Sequence, residues 1–175
     1  MTRILTLAAA AALTAMTTLP ARAADPLPAE DAVFTVYGTV GDWTVYADNQ
    51  RHSCLVEKLF NDGEYVLQMG ATPDETKGYL GVFTTADVKQ FRRQNVVLDI
   101  DGKQFPAKAI GTKSRKLQGN YKGSYVPVHT RALADALAGG TILTVVPAKS
   151  FSFELPLDGL GAAMAEGSAC IKAQS

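Results

Sequence analysis

Short runs of β-forming residues, divided by turn signals at short and regular intervals, dominate the sequence from Val33 onward. The runs are VFTVYGT, WTVYA, SCLVEKLF, YVLQM, YLGVF, VVLDI, KQFPAKAI, YVPVH, TILTVV and FSFEL. Asp101-Gly102 is the strongest two-residue hairpin signal, and Pro106 predicts that the second arm of that hairpin lies at a sheet edge. This pattern predicts an all-β fold, either an antiparallel β-sandwich or a barrel-like sandwich.

Two segments interrupt the β pattern with residues at helical spacing. In TRALADALAGG, Leu133 and Leu137 are four residues apart and share one helix face. Near the C-terminus, LDGLGAAMAEGSAC predicts a helix that Asp158 opens and that breaks near Gly167. We therefore expect one or two short helices beside the strands, one of them near the C-terminus.

The first 23 residues have the parts of a secretory signal peptide. Arg3 precedes a run of apolar and small residues, which ends at the cleavage signal Ala21-Arg22-Ala23. The run is shorter than the ~20 residues of a membrane span, and no later segment is long and apolar enough to cross a membrane. We expect removal of residues 1–23, a flexible leader at 24–32 and a single domain at 33–175, in the periplasm or secreted.

The two cysteines, Cys54 and Cys170, are predicted to form a disulfide, because a lone pair usually closes in an oxidising compartment. His52 and Cys54 would point to one face of a strand, roughly 7 Å apart. That distance is too long for direct proton transfer between them. Trp43, the single tryptophan, is interpreted as a core residue on an early strand, with ligand stacking as the alternative.

Residues that would carry catalysis or bind a metal are sparse. The only histidines are His52 and His129, and the sequence has no zinc, EF-hand, phosphate-loop or Gly-x-Ser-x-Gly pattern. Two carboxylates brought together from distant strands stay possible, but no pair stands out. We therefore expect a protein that is not an enzyme and has no cofactor or bound metal.

Charge is segregated along the chain. Residues 24–87 contain 11 acidic and 3 basic side chains, whereas residues 88–134 contain 10 basic and 2 acidic ones. The basic region either forms a face for an anionic partner or pairs internally with the acidic first half. The partner would be a protein or an anionic envelope component, and not nucleic acid. The candidate binding face consists of Lys108, Lys113, Arg115, Lys116, Tyr121, Lys122 and Tyr125.

Four segments, taken in order, resemble the invasion-associated locus B family of exported α-proteobacterial proteins. They are GDWTVYADNQRHSC, VVLDIDGKQFPAKAIG, DALAGGTILTVV and FSFELPLDGLGAAMAEG, which cover most of residues 41–167. The cysteine pair that usually follows the central hairpin in that family is absent here, and Cys170 lies beyond the closing helix. The resemblance implies an all-β periplasmic or surface-associated protein, linked in some members to host-cell invasion, and it implies no catalytic residues.

The sequence therefore predicts an exported, non-enzymatic cell-envelope protein that acts by binding an envelope or host partner through its surface. The alternative is a periplasmic protease inhibitor of the small β-barrel kind, which also combines one disulfide with an early tryptophan strand.

Overall fold

The computed structural model describes residues 33–71, 78–87, 93–112, 119–147 and 152–175. The predicted signal peptide and leader lie outside these ranges, as do three residues of the candidate binding face, Lys113, Arg115 and Lys116.

Within the described residues, ten strands form one antiparallel sheet, accompanied by two helices. The strands are β1 (Phe34–Val40), β2 (Trp43–Asp48), β3 (Ser53–Phe60), β4 (Tyr65–Ala71), β5 (Gly78–Thr84), β6 (Arg93–Ile100), β7 (Lys103–Thr112), β8 (Lys122–Val128), β9 (Ile142–Pro147) and β10 (Phe153–Pro156). The helices are α1 (Arg131–Gly139) and α2 (Leu160–Gln174). Neighbouring strands follow the order β1-β2-β3-β4-β5-β8-β7-β6-β9-β10. The predicted all-β class, with one helix at the C-terminus, is confirmed.

The sheet has two halves that meet at a short junction and share one core. Strands β7 and β8 pair only through Ile110–Thr112 and Gly123–Tyr125. Strands β1–β5 and β8 form one half, and β7, β6, β9 and β10 form the other. Inward side chains from both halves, including Leu67 and Leu98, belong to a single buried cluster. The sheet therefore curves around its core in the manner of a sandwich.

The short junction explains how β7 tolerates Pro106. In the strand order β7 is an interior strand, so the prediction that it lies at the sheet edge is wrong as stated. Pro106 nevertheless pairs with Val97 on β6 and lies outside the three residues that pair with β8. Proline lacks the N–H that a second neighbouring strand would need, so this position suits it.

The predicted Asp101-Gly102 turn is confirmed, and it also anchors the start of β9. Both residues have positive φ, 50° at Asp101 and 86° at Gly102, as a type I′ hairpin requires. The Asp101 carboxylate accepts hydrogen bonds from the Thr141 amide (2.8 Å), the Thr141 hydroxyl (2.6 Å) and the Ile142 amide (3.0 Å). These hydrogen bonds hold the pKa of Asp101 below its usual value, and those from Thr141 have the largest effect.

The helices differ from expectation at one point. In α1, the Thr130 hydroxyl accepts a hydrogen bond from the Leu133 amide. Leu133 and Leu137 lie on one helix face, as predicted, and both are buried. The predicted break of the C-terminal helix at Gly167 is wrong, because α2 continues to Gln174. A Cβ at Gly167 would lie 2.8 Å from Val56 Cγ2, so the glycine allows α2 to approach β3 closely.

Candidate functional site: the outer face of the sheet

The predicted disulfide is present and joins the early sheet to the last helix. Cys54 on β3 and Cys170 on α2 are both buried, with their Cα atoms 6.2 Å apart. The Gln174 side chain lies over the bond and donates to the Ser53 carbonyl at 2.8 Å. His52 is exposed in the preceding turn. Because Cys54 is bonded to Cys170, it offers His52 no thiol to activate.

Trp43 is a core residue, as predicted. It is 1% exposed, and its indole N–H donates to the Asp158 carbonyl at 2.7 Å. The ring meets Phe60 edge to face, and the Lys58 ammonium lies 5.5 Å from the ring centroid. The indole therefore joins β2 to the turn before α2, and it is not placed to stack on a ligand.

The outer face of β2 to β5, opposite the shared core, is unusual because it is also largely buried. Alternate residues of a strand point to opposite faces, so the neighbours of the inward core residues should be mainly polar and exposed. Instead the outward side chains of seven residues are buried: Tyr46, Asp48, Leu55, Glu57, Val66, Gln68 and Phe83. Helix α2 cannot account for this burial, because its contact at Val56 lies on the inner face.

Aromatic rings lying low across glycines account for much of this burial. Three direct cross-strand partners on the outer face combine a glycine with an aromatic residue: Gly70 with Tyr79, Gly81 with Tyr125, and Gly123 with Phe83. In each pair the ring occupies the space that a side chain on the glycine would fill. Strand glycines are stabilised when a cross-strand aromatic side chain covers them in this way.

The three rings form a continuous cluster. Tyr79 and Tyr125 meet edge to face with centroids 5.1 Å apart, and Phe83 and Tyr125 do so at 5.0 Å. Phe83 is buried, whereas Tyr79 and Tyr125 keep part of their surface exposed. We call the surface presented by Tyr79 and Tyr125, together with the buried Tyr46 and Phe83 of the same sheet face, the tyrosine face.

Two buried carboxylates lie within the tyrosine face. Glu57 accepts a hydrogen bond from the Gln68 amide at 2.6 Å, and both side chains are 1% exposed. Asp48 accepts from the backbone amides of Gln50 and Arg51 and pairs with the Arg51 guanidinium at 3.0 Å. The Asp48 bonds shape the β2–β3 turn, so its role there is structural.

These surroundings raise the pKa of both partly exposed tyrosines, which are neutral at pH 7. Burial raises the pKa of the Tyr125 hydroxyl far above its usual value, and Tyr79 and Glu57 act in the same direction. Burial also raises the pKa of Tyr79, and the nearby Asp48 carboxylate adds to the effect. At neutral pH both residues therefore present hydroxyl groups that can donate or accept hydrogen bonds.

The tyrosine face continues across the junction onto a basic strip. Tyr125 on β8 pairs with Ile110 on β7, and Ile110 pairs with Arg93 on β6. Lys108 lies two residues before Ile110 on the same face, opposite Asn95. Arg93 and Lys108 are exposed, and Ile110 is 46% exposed. One cross-strand row therefore leads from an aromatic ring through an apolar side chain to a guanidinium group.

The members of the predicted basic face do not all lie together. Lys108 is exposed on the outer face, and Tyr125 belongs to the tyrosine face. Lys122 pairs with Asp87 at 2.6 Å, as the internal-pairing alternative predicts. Tyr121 is 3% exposed and donates its hydroxyl to the Gly63 carbonyl at 2.5 Å. The structure thus corrects the prediction that Tyr121 forms part of a contact surface, because it holds the Asn61–Gly63 turn instead.

The sequence analysis did not identify Tyr79, Phe83 or the glycines beneath the rings as parts of the site. It also did not place Arg93 in the same cross-strand row as Tyr125. The segment GYLGVF carries a usable signal, because Tyr79, Gly81 and Phe83 share one parity along the strand. Pairing these glycines with particular rings requires the register between the strands, which the sequence does not state.

Other kinds of site are less developed in the described part of the chain. A surface cavity of 320 Å³ lies beside the Asn61–Gly63 turn and is lined by Glu64, Thr85, Gly119 and Tyr121 among others. Among the described residues, no three His, Cys, Asp or Glu side chains are placed to hold a metal ion. No described helix combines the length and apolar character that crossing a membrane would require.

A scan against protein-family models, a search of curated proteins and a search of solved structures each found no match to this chain. The resemblance to the invasion-associated locus B family therefore stays a prediction from the sequence.

Proposed function

We propose that this protein is an exported, non-enzymatic cell-envelope protein of the invasion-associated locus B type, which acts by binding a partner through its surface. The observation that carries the proposal is the outer face of the sheet. There, partly exposed tyrosines lie beside exposed basic side chains on adjacent strands. Tyrosine and arginine are enriched at binding surfaces, because each combines a large contact area with directional polar groups.

Two further features support export. The first 23 residues have the pattern of a cleavable signal peptide. The Cys54–Cys170 disulfide is buried in the core and spans 116 residues, and such structural disulfides persist in oxidising compartments. A protein built around this bond would fold stably in a bacterial periplasm or outside the cell.

Fractionation and mass measurement of the expressed full chain test the export part. We expect the protein in the periplasmic or secreted fraction, beginning at Ala24, with no thiol that alkylates before reduction. A full-length cytoplasmic protein with two reactive thiols would refute export.

Binding to isolated bacterial envelopes tests the second part. The purified mature protein should sediment with envelope material, and less of it should sediment as the salt concentration rises, because salt screens contacts between exposed charges. A protein that stays in the supernatant at low salt would refute surface binding to the envelope.

A further inference from the structure

The outer face offers two kinds of contact side by side. The Tyr79–Tyr125 pair presents aromatic surface and neutral hydroxyls. Positive charge is presented by Lys108 on β7, the strand next to β8, and by Arg93 on β6, one strand further away. Neighbouring strands are about 4.8 Å apart, so the backbones of Tyr125 and Arg93 are separated by about 10 Å across Ile110. A ligand that contacts both must be extended, with an apolar or stackable part followed by an anionic part.

The electrostatics near the junction favour an anion. Among the described residues, Glu57, whose charge acts on Tyr125, is buried and hydrogen-bonded to Gln68, and Asp87 is paired with Lys122. The acidic side chains Asp99 and Glu154 lie at the other end of the second half, where Asp99 pairs across the strands with Gln104 and Thr144. In the described part of the chain, the exposed charge beside Ile110 is therefore positive, and it complements a negatively charged ligand.

The shape of the tyrosine face favours sugar rings. Because each ring fills the space above a glycine, the aromatic surface lies low on the sheet. Tyr79 and Tyr125 meet at an interplanar angle of 89°, so together they offer an aromatic face, an aromatic edge and two hydroxyl groups. This combination suits a sugar ring, which has an apolar face and a rim of hydroxyls. A protein partner would instead gain most from pockets that accept side-chain anchors.

Resting on the proposed function, we propose that the outer face binds an acidic polysaccharide of the bacterial envelope. Its sugar rings lie against Tyr79 and Tyr125, and its carboxylates reach Arg93 and Lys108. Arg51, half-exposed at the far end of the tyrosine face and paired with Asp48, marks the other limit of the site.

Affinity electrophoresis of the mature protein in gels that contain polygalacturonate, a polymer of a sugar acid, tests this proposal. Neutral dextran serves as the control polymer. We expect polygalacturonate to retard the protein at low salt and dextran to leave its mobility unchanged. Equal retardation by dextran, or no retardation by polygalacturonate, would overturn the proposal.

Charge variants locate the binding site. In the Arg93→Gln/Lys108→Gln variant both changes are at exposed positions, so the fold should persist. We expect the dissociation constant to rise about fivefold for each neutralised charge, as for a basic side chain beside an anionic surface. The control is Lys172→Gln, an exposed change on α2 that removes one charge and should bind like wild type. A loss per removed charge that is the same in both variants would show attraction by net charge alone and would remove the proposed site.

The aromatic contact is tested separately at Tyr125. Tyr125→Phe keeps the ring over Gly81 and should retain most of the binding, whereas Tyr125→Leu should weaken it even at high salt. Circular dichroism establishes that Tyr125→Leu is folded. If it is not, polygalacturonate protection of the wild-type tyrosines from iodination replaces the variant, and absence of protection counts against the proposal.

The tests distinguish this proposal from the proposed function. Salt-sensitive binding to envelopes without binding to polygalacturonate would overturn the polysaccharide and leave the envelope-binding function standing. Binding that is lost when the envelopes are treated with protease would assign the site to a protein partner instead. Failure to bind either envelopes or polygalacturonate would overturn both proposals.

Discussion

The ring of Phe83 on β5 occupies the space that a side chain on Gly123, its direct cross-strand partner on β8, would need. At this pair the backbone is also close, because a Cβ on Gly123 would clash with the Val82 carbonyl and lie 2.8 Å from Phe83 Cα. The tyrosine face therefore depends on glycine at a position where neither partner can move aside.

Gly123→Ala should destabilise the protein by about 2–3 kcal/mol, the usual upper range for inserting a methyl group into a packed region. Gly70→Ala should cost less, since its Cβ meets only the outer part of the Tyr79 ring, which can rotate away. Gly139→Ala is the control, because nothing lies within 4 Å of its Cβ and alanine favours the helix. Urea denaturation of the three variants measures their free energies of unfolding. An equal loss of stability for Gly70→Ala and Gly123→Ala would contradict the prediction.

The Cys54–Cys170 disulfide should contribute several kcal/mol to stability. A chain-entropy estimate for a closed loop of this length is about 4–5 kcal/mol, and engineered bonds often deliver less. Cys54→Ser and Cys170→Ser should each lower the melting temperature by a similar amount, and the double variant should be no less stable than either. Reduced wild type is the control. Losses that add in the double variant would mean that the two cysteines are not partners.

Stability should fall in acid partly through Asp101. Hydrogen bonds from Thr141 and Ile142 lower the pKa of this carboxyl in the folded state, so the folded protein favours the ionised form. Its contribution is therefore present above the unfolded pKa of about 4 and is lost as the pH falls through the lower folded pKa. Asp101→Asn should reduce the free energy of unfolding at pH 7. It should also make that free energy depend less steeply on pH in the acid range.

Denaturant titrations between pH 2 and pH 7 check the role of Asp101. Asp42→Asn, a change at an exposed aspartate in the β1–β2 turn, serves as the control, because surface pairs such as Asp42–Lys58 contribute little. A curve for Asp101→Asn that runs parallel to wild type throughout would contradict the assignment.

Trp43→Phe should cost about 2 kcal/mol, because the smaller ring leaves space in the core and the Asp158 carbonyl loses its indole donor. Circular dichroism must follow unfolding, since the variant has no tryptophan. Tyr37→Phe on the exposed part of β1 should change stability by less than about 0.5 kcal/mol. If Trp43→Phe were equally mild, the indole would not be the link between β2 and α2.

Local signals in the sequence determined much of the fold. Alternating β-formers and turn residues specified strands, and Asp101-Gly102 specified its hairpin because both residues adopt positive φ. Leu133 and Leu137 marked a buried helix face through their spacing. The two cysteines, in a chain with a predicted signal peptide, predicted the disulfide. Each of these inferences depends on residues close in sequence or on a residue type with few possible partners.

Only the tertiary structure decided which surface is suited to binding. The pairing of β5 with β8 and of β6 with β9 brings together strands far apart in the chain, and register then sets which ring covers which glycine. The tertiary structure also buries Tyr121 against Gly63, which removes it from the candidate binding face, and pairs Lys122 with Asp87, which selects the internal-pairing alternative for that residue. A one-residue change of register moves every side chain to the other face, so contacts of this kind cannot be read from the order of residues alone.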